Sequence, residues 1–133
     1  RRSRGLGDVY KRQQVDRDID NALNFLKDDG FVVLHDCNPP TEWHARETYS
    51  FYSSPADGAW NGTVWKAFLK RRFEKSLYSC CIDTDWGVGI ISKNINIGSP
   101  TNKVNPFFEY REFDKYRKDY LNLISFEEFI KFL

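Results

Sequence analysis

The sequence predicts an α/β fold with a partly parallel sheet, and two patterns carry this prediction. The first is a helical apolar pattern that ends at Gly30 and is followed at once by a continuous apolar run at residues 31–34. Helix, glycine and buried strand in this order form half of a βαβ unit. The second is a pair of apolar, β-branched segments at 77–82 and 86–92, which a short acidic stretch separates. This pattern predicts an antiparallel hairpin.

Length and charge limit the classes of protein that we expect. A chain of 133 residues can form one core, but a complete nucleotide-binding α/β domain usually needs about 150 residues or more. The 20 Lys and Arg residues nearly balance the 19 Asp and Glu residues, and no long run of one sign occurs. We therefore expect one domain or part of one, without a nucleic-acid or membrane-binding surface, and with a small molecule or a protein as partner.

Cysteine usage and apolar runs predict a cytoplasmic protein. An odd number of cysteines, two of them adjacent, does not suit a disulfide framework and fits a reducing compartment. The longest apolar runs, at 31–34 and 88–91, are far shorter than the roughly 20 residues that span a bilayer. The Arg-rich start is not followed by an apolar stretch, so we expect no secretory signal.

We interpret the first 40 residues as a leader, a helix and a strand. Residues 1–13 show no periodicity and no apolar anchor, and we expect a leader outside the fold, either non-native or disordered. From Val15 the apolar residues follow one face of an α-helix until Gly30. Residues 31–34 then predict a strand buried on both faces in a parallel sheet. The prolines at 39–40 cannot continue the ladder and end it.

A long loop and a second helix follow the strand. Residues 39–60 lack a period and predict a loop with one irregular helical turn near 42–47. Residues 63–73 predict an amphipathic helix. Its inward side chains are expected to be Val64, Ala67 and Phe68, and its outward ones Lys66, Lys70 and Arg71.

The second half of the chain predicts the hairpin and two further helices. Cys80 and Cys81 should point to opposite faces of a strand, and the glycines at 87 and 89 lie on one face, which indicates close packing. Residues 108–121 predict one amphipathic surface helix. A short terminal helix should begin at Ser125, which has capping-box spacing to Glu128.

Taken in order, these segments resemble the carboxy-terminal half of class I S-adenosylmethionine-dependent methyltransferases. QVDRDI at 14–19 is similar to the helix after the fourth strand in the small-molecule O-methyltransferase-like branch, and GFVVLHD at 30–36 is similar to its fifth strand. WNGTVWK at 60–66 and DTDWGVG at 83–89 resemble further segments of bacterial members. The resemblance covers residues 14 to about 93. It implies a partial Rossmann-like sheet, made of the fifth strand and an antiparallel terminal hairpin with flanking helices.

The resemblance implies that residues 14–133 are the carboxy-terminal part of one methyltransferase domain. The parent protein would transfer a methyl group from S-adenosylmethionine to a small-molecule or sugar acceptor. The family's Gly-x-Gly cofactor loop and its ribose-binding acidic residue lie upstream of such a segment. Gly5 and Gly7 lie in the leader, with no strand expected before them and no helix after, so we do not interpret them as that loop. We therefore expect the isolated chain to lack most of the cofactor site and to be inactive.

His35 and Asp36 are the candidate catalytic residues, because the carboxyl ends of strands in open α/β sheets hold ligands and catalytic groups. Methyl transfer needs a deprotonated acceptor, and a histidine can take that proton near neutral pH. An alternative chemistry uses a divalent cation held by Asp36. Metal-dependent relatives end this strand with an Asp-Asn pair, whereas Cys37 intervenes here. Both side chains could instead only close the strand and cap the loop.

Two other functions remain open. The chain could be a non-catalytic, degenerate methyltransferase-like binding or interaction module. A sheet without its upstream strands would have an unpaired edge, through which the chain would dimerise or aggregate. A metal-dependent hydrolase that uses His35 and Asp36 is the weakest alternative, because the sequence offers no further ligand cluster.

Overall fold

The computed structural model describes the backbone of residues 7–46, 56 and 59–133, and within these ranges the side chains from residue 13 onward. The helices are α1 (Gly7–Phe25), α2 (Val64–Arg72), α3 (Tyr110–Lys115), α4 (Arg117–Leu121) and α5 (Phe126–Ile130). The strands are β1 (Val32–Leu34), β2 (Tyr78–Ile82), β3 (Val88–Ser92) and β4 (Leu123–Ile124). The predicted α/β class is confirmed.

The four strands form one mixed sheet in the order β1-β3-β2-β4. β3 is antiparallel to both β1 and β2, which confirms the hairpin, and β4 is parallel to β2. The prediction for β1 was wrong in two respects. β1 lies at an edge beside an antiparallel strand, and Val33 is 57% exposed rather than buried. No other strand in the described ranges pairs with the outer edge of β1.

Both faces of the central strands are covered. Cys81 and Ile91 belong to a large cluster with residues of α1 and α2, while Cys80 and Ile90 belong to a smaller cluster that includes Phe129 of α5. Cys80 and Cys81 therefore point to opposite faces, as predicted. Both are buried because a cluster of side chains packs on each face of the sheet.

Most helices lie where the apolar pattern places them. α2 occupies the predicted range to within one residue at each end, and Ser125 caps α5 with a complete capping box. α1 begins at Gly7, so residues 7–13 of the expected leader are helical, contrary to the expectation that no helix occurs there. Residues 108–121 do not form one helix, because Tyr116 leaves helical geometry (φ −126°, ψ 36°) and separates α3 from α4.

Arg71 was predicted on the outer face of α2 but is buried. Its Nη2 atom lies 2.9 Å from a carboxylate oxygen of Asp20 and 3.5 Å from one of Asp16, and its Nη1 lies 3.2 Å from Glu74. The carboxylates on α1 compensate the charge of a guanidinium withdrawn from water. Arg71 thus joins α2 to α1.

The neighbouring Arg72 is only 2% exposed and joins α2 to the second half of the chain. Its Nε donates to the carbonyl of Tyr120 (2.8 Å), and its Nη1 donates to the hydroxyl of Ser79 (2.9 Å) and to the carbonyls of Ser79 (3.1 Å) and Ser99 (2.7 Å). Its Nη2 reaches the carbonyl of Asp119 at 3.3 Å. Burial lowers the pKa of Arg72 to about 10, so the group remains charged at neutral pH.

We predict that Arg72→Met lowers the free energy of unfolding by about 3 kcal/mol or more, because it leaves several buried carbonyl groups without a donor. Urea denaturation followed by far-UV circular dichroism measures this loss. Arg111→Met is the control, because Arg111 is an exposed arginine on α3. Equal loss of stability in the two variants would contradict the role given to Arg72.

Candidate functional site

Two backbone hydrogen bonds tie the end of β1 to the turn between β2 and β3. The amide of Cys37 donates to the carbonyl of Gly87 (3.0 Å), and the amide of Asn38 donates to that of Trp86 (2.9 Å). Gly87 has φ +89°, and a Cβ atom there would lie 2.5 Å from the backbone nitrogen of Asn38. A side chain at this position is therefore excluded. The close approach predicted for the glycines is confirmed.

Backbone strain is concentrated where these two segments meet. Asp36, Asp85 and Trp86 all adopt the left-handed region, with φ of 63°, 48° and 65°. Aspartate tolerates this conformation better than a bulky residue such as tryptophan, for which it is rare. Such strain persists only where the surrounding structure enforces it, and it is frequent at functional sites. Here the two backbone hydrogen bonds hold these residues in the left-handed conformation.

The same contact brings Asp85 close to His35. The Nδ1 atom of His35 lies 3.8 Å from a carboxylate oxygen of Asp85, and the two side chains are 66% and 64% exposed. An ion pair this exposed contributes little to stability. Sequence spacing alone could not place Asp85 here.

His35 and Asp36 both line an open cleft of about 390 Å³ between α1, β1 and the first residue of α2. Its other lining residues are mainly apolar: Val15, Ile19 and Ala22 of α1, Val32, Val33 and Leu34 of β1, and Val64 of α2. Because side chains from both faces of β1 contribute, the cleft lies along the outer edge of that strand. The two predicted site residues therefore line the same cleft.

Asp18, an exposed residue of α1, also lines this cleft. Its position one turn from Ala22 on the apolar face of α1 is the signal that could have suggested its place. With Asp36 it gives the cleft a second carboxylate. The cleft therefore combines apolar walls with two acidic groups and an imidazole.

His44, the other histidine, packs a loop instead of facing the cleft. Its ring lies 5.2 Å from the ring of Trp86, and its Nδ1 lies 2.7 Å from the hydroxyl of Thr41. Partial burial, and secondarily the charge of Arg46, lower the pKa of His44. His44 helps to cover the strained turn and stays outside the candidate site.

Neither a metal cluster nor a reactive thiol accompanies the site in the described ranges. No group of three or more His, Cys, Asp or Glu side chains there, with or without Asp36, could hold a metal ion. Burial raises the pKa of the Cys80 thiol to about 12 and those of Cys37 and Cys81 well above their ordinary value. Thiols of this kind stay protonated and are not nucleophiles near neutral pH.

Comparisons with protein-family models, curated proteins and solved structures find no match to this chain. No helix in the described residues has the length and apolar character needed to cross a membrane. The mixed sheet and its flanking helices define the chain as a mixed α/β protein. Its candidate site is the cleft at the outer edge of β1.

We predict that Gly87→Ala lowers the free energy of unfolding by about 2 kcal/mol, because the new methyl group would collide with the backbone of Asn38 in a left-handed conformation. Thermal and urea unfolding measure the change. Gly30→Ala is the matched control, because the nearest atom there belongs to the mobile end of the Leu26 side chain. If the two substitutions lower the free energy of unfolding equally, the close contact between Gly87 and Asn38 does not constrain the fold.

Proposed function

We propose that this chain is the carboxy-terminal part of a class I S-adenosylmethionine-dependent methyltransferase. The whole protein would methylate an oxygen or nitrogen of a small-molecule or sugar acceptor. The observation that carries the proposal is the position of His35 and Asp36, which follow the carboxyl end of β1 and line an apolar cleft. The carboxyl ends of strands are where open α/β sheets bind their ligands.

The strand arrangement also supports the proposal. β1, which resembles the family's fifth strand, pairs with β3 of the antiparallel β2–β3 hairpin, as the resemblance implies for the end of such a sheet. The outer edge of β1 is open and borders the cleft. In the proposed parent protein, upstream strands would add at this edge and would close the cleft from the other side.

His35 is the proposed base. Its imidazole would take a proton from the acceptor hydroxyl or amine at Nε2. The carboxylate of Asp85 lies 3.8 Å from its Nδ1 atom. Asp36 would orient the acceptor. Bound S-adenosylmethionine would supply the electrophilic methyl group. We assign none of the described residues to holding the cofactor, because they include no glycine-rich turn between a strand and a helix.

A cytoplasmic location is part of the same proposal. The three cysteines are free and buried, which suits a reducing compartment.

The test uses the protein extended upstream by its own coding sequence. We predict that the extended protein transfers labelled methyl groups from S-adenosylmethionine, and that His35→Ala lowers turnover about 100-fold or more because the general base is lost. Affinity for S-adenosylhomocysteine, measured by calorimetry, should not change. His44→Ala is the matched histidine control and should retain turnover. Full activity of His35→Ala would remove the base assignment, and an extended protein that fails to bind the cofactor would refute methyl transfer.

A second candidate function, a non-catalytic interaction module, is favoured by one observation. Val33 is largely exposed on an edge strand that borders an apolar cleft, and exposed edge strands pair readily with other chains.

If this module pairs with itself, the isolated chain should form a concentration-dependent dimer in sedimentation velocity experiments. Val33→Lys should abolish the dimer, because a charge on the edge opposes strand pairing. Val104→Lys is the control, since Val104 is also exposed but lies in a loop. A wild-type chain that stays monomeric at every concentration would contradict self-association.

A further inference from the structure

The segment that follows β1 is held from two sides. On one side, the backbone amides of Cys37 and Asn38 donate to carbonyls of the β2–β3 turn. On the other side, Nη1 of Arg117, the first residue of α4, donates to Oδ1 of Asn38 (2.5 Å) and to the carbonyl of Pro39 (2.6 Å). α4 is therefore connected to the chain only a few residues after His35.

Contacts with α3 fix the guanidinium group of Arg117 in place. Its Nη2 atom donates to the hydroxyl of Tyr110 (2.7 Å) and to a carboxylate oxygen of Asp114 (2.5 Å). Its central carbon lies 4.7 Å from the ring centroid of the fully buried Phe113, and the side chain is only 18% exposed. Hydrogen bonds from a charged, planar donor of this kind are stronger than neutral ones and restrict geometry. Arg117 is thus held by α3 in an orientation in which it donates to the segment after β1.

The segment after β1 needs donors from other elements because it cannot extend the sheet. Pro39 and Pro40 have no backbone N–H group to donate to a neighbouring strand. The carbonyl of the buried Pro39 accepts instead from Nη1 of Arg117 and from the hydroxyl of Tyr110 (3.0 Å). Side chains of α3 and α4 therefore hold the chain beyond Leu34, where the pairing of β1 with β3 ends.

The position of this segment affects the geometry of the candidate site. Asp36 has a left-handed backbone (φ 63°), which a residue other than glycine keeps only where its surroundings enforce it. His35 and Asp36 line the cleft, whereas Arg117 is not among the residues described as lining it. Release of Asn38 and Pro39 by Arg117 would remove one of the two sets of hydrogen bonds that enforce this backbone.

We propose that Arg117 is a positioning residue of the candidate site. Through its hydrogen bonds to Asn38 and Pro39 it keeps the end of β1, with His35, at the cleft, and it does not contact a ligand itself. Its effect on methyl transfer rests on the function proposed above. Its effect on the segment after β1 does not, because that effect follows from contacts within the chain. An experiment without substrate therefore separates the two.

The first test is amide hydrogen exchange of the ¹⁵N-labelled chain, measured by NMR. Arg117→Met should accelerate exchange at the amides of Cys37 and Asn38 about tenfold or more, because the segment loses two charge-assisted hydrogen bonds. Exchange at the amides of Phe68 and Leu69, inside α2, should accelerate much less. Equal acceleration at all four amides would show a general loss of stability and would overturn the proposal. Unchanged exchange at Cys37 and Asn38 would overturn it as well.

Two further variants accompany this measurement. Arg117→Lys keeps the positive charge but lacks the planar group that reaches several acceptors at once. It should show the same pattern of exchange with a smaller acceleration, and it decides the question if Arg117→Met does not fold. Arg111→Met is the matched control, because Arg111 is an exposed arginine on α3, and it should leave exchange at Cys37 and Asn38 unchanged. Acceleration there equal to that in Arg117→Met would contradict the proposal.

The second test uses the protein extended upstream by its own coding sequence. Arg117→Met should lower kcat about tenfold or more, because a displaced His35 is poorly aligned with the acceptor, and Arg117→Lys should lower it less. Affinity for S-adenosylhomocysteine should not change, and Arg111→Met should retain wild-type kcat. Wild-type kcat in Arg117→Met would overturn the positioning role. An extended protein that fails to bind S-adenosylmethionine would refute methyl transfer, and the exchange experiment would still decide whether Arg117 holds the segment after β1.

Discussion

The buried guanidinium of Arg72 is the interaction on which the rest of this structure depends. It connects the carboxyl end of α2 to β2, to the loop at Ser99 and to the end of α4, through acceptors that are carbonyl and hydroxyl oxygens. A planar group with five donors can satisfy several segments at once, which no apolar side chain can do. With α4 held against α2, the chain that follows it is placed to add β4 beside β2.

A second constraint, at the opposite edge of the sheet, shapes the candidate site. The short link between Asn38 and Gly87 forces the end of β1 against the β2–β3 turn, and the backbone accepts left-handed conformations at Asp36 and Trp86 to make this contact. His35 thereby comes to face Asp85 and the cleft together. The chemistry proposed for His35 therefore depends on this contact between the end of β1 and the β2–β3 turn.

The first turn of α2 lies between two cavities. Val64 lines the cleft at β1, whereas Trp65 and Lys66 line a second cavity, of about 450 Å³, together with Trp43, Phe108 and Tyr110. One short helix therefore supports both, and Arg71 and Arg72 at its other end fix it to the two halves of the chain.

The sequence by itself determined the local elements: α2, the hairpin, the capping box at Ser125 and the close approach at Gly87. Apolar periodicity and turn chemistry encode these features within a few residues. It also placed His35 and Asp36 at the end of a strand, but not in a cleft with Asp18 or near Asp85. Only the tertiary structure decided the edge position of β1, the burial of Arg71, the break at Tyr116 and the addition of β4. Each of these depends on partners far away in the chain, such as Asp20 for Arg71, and no local pattern carries that information.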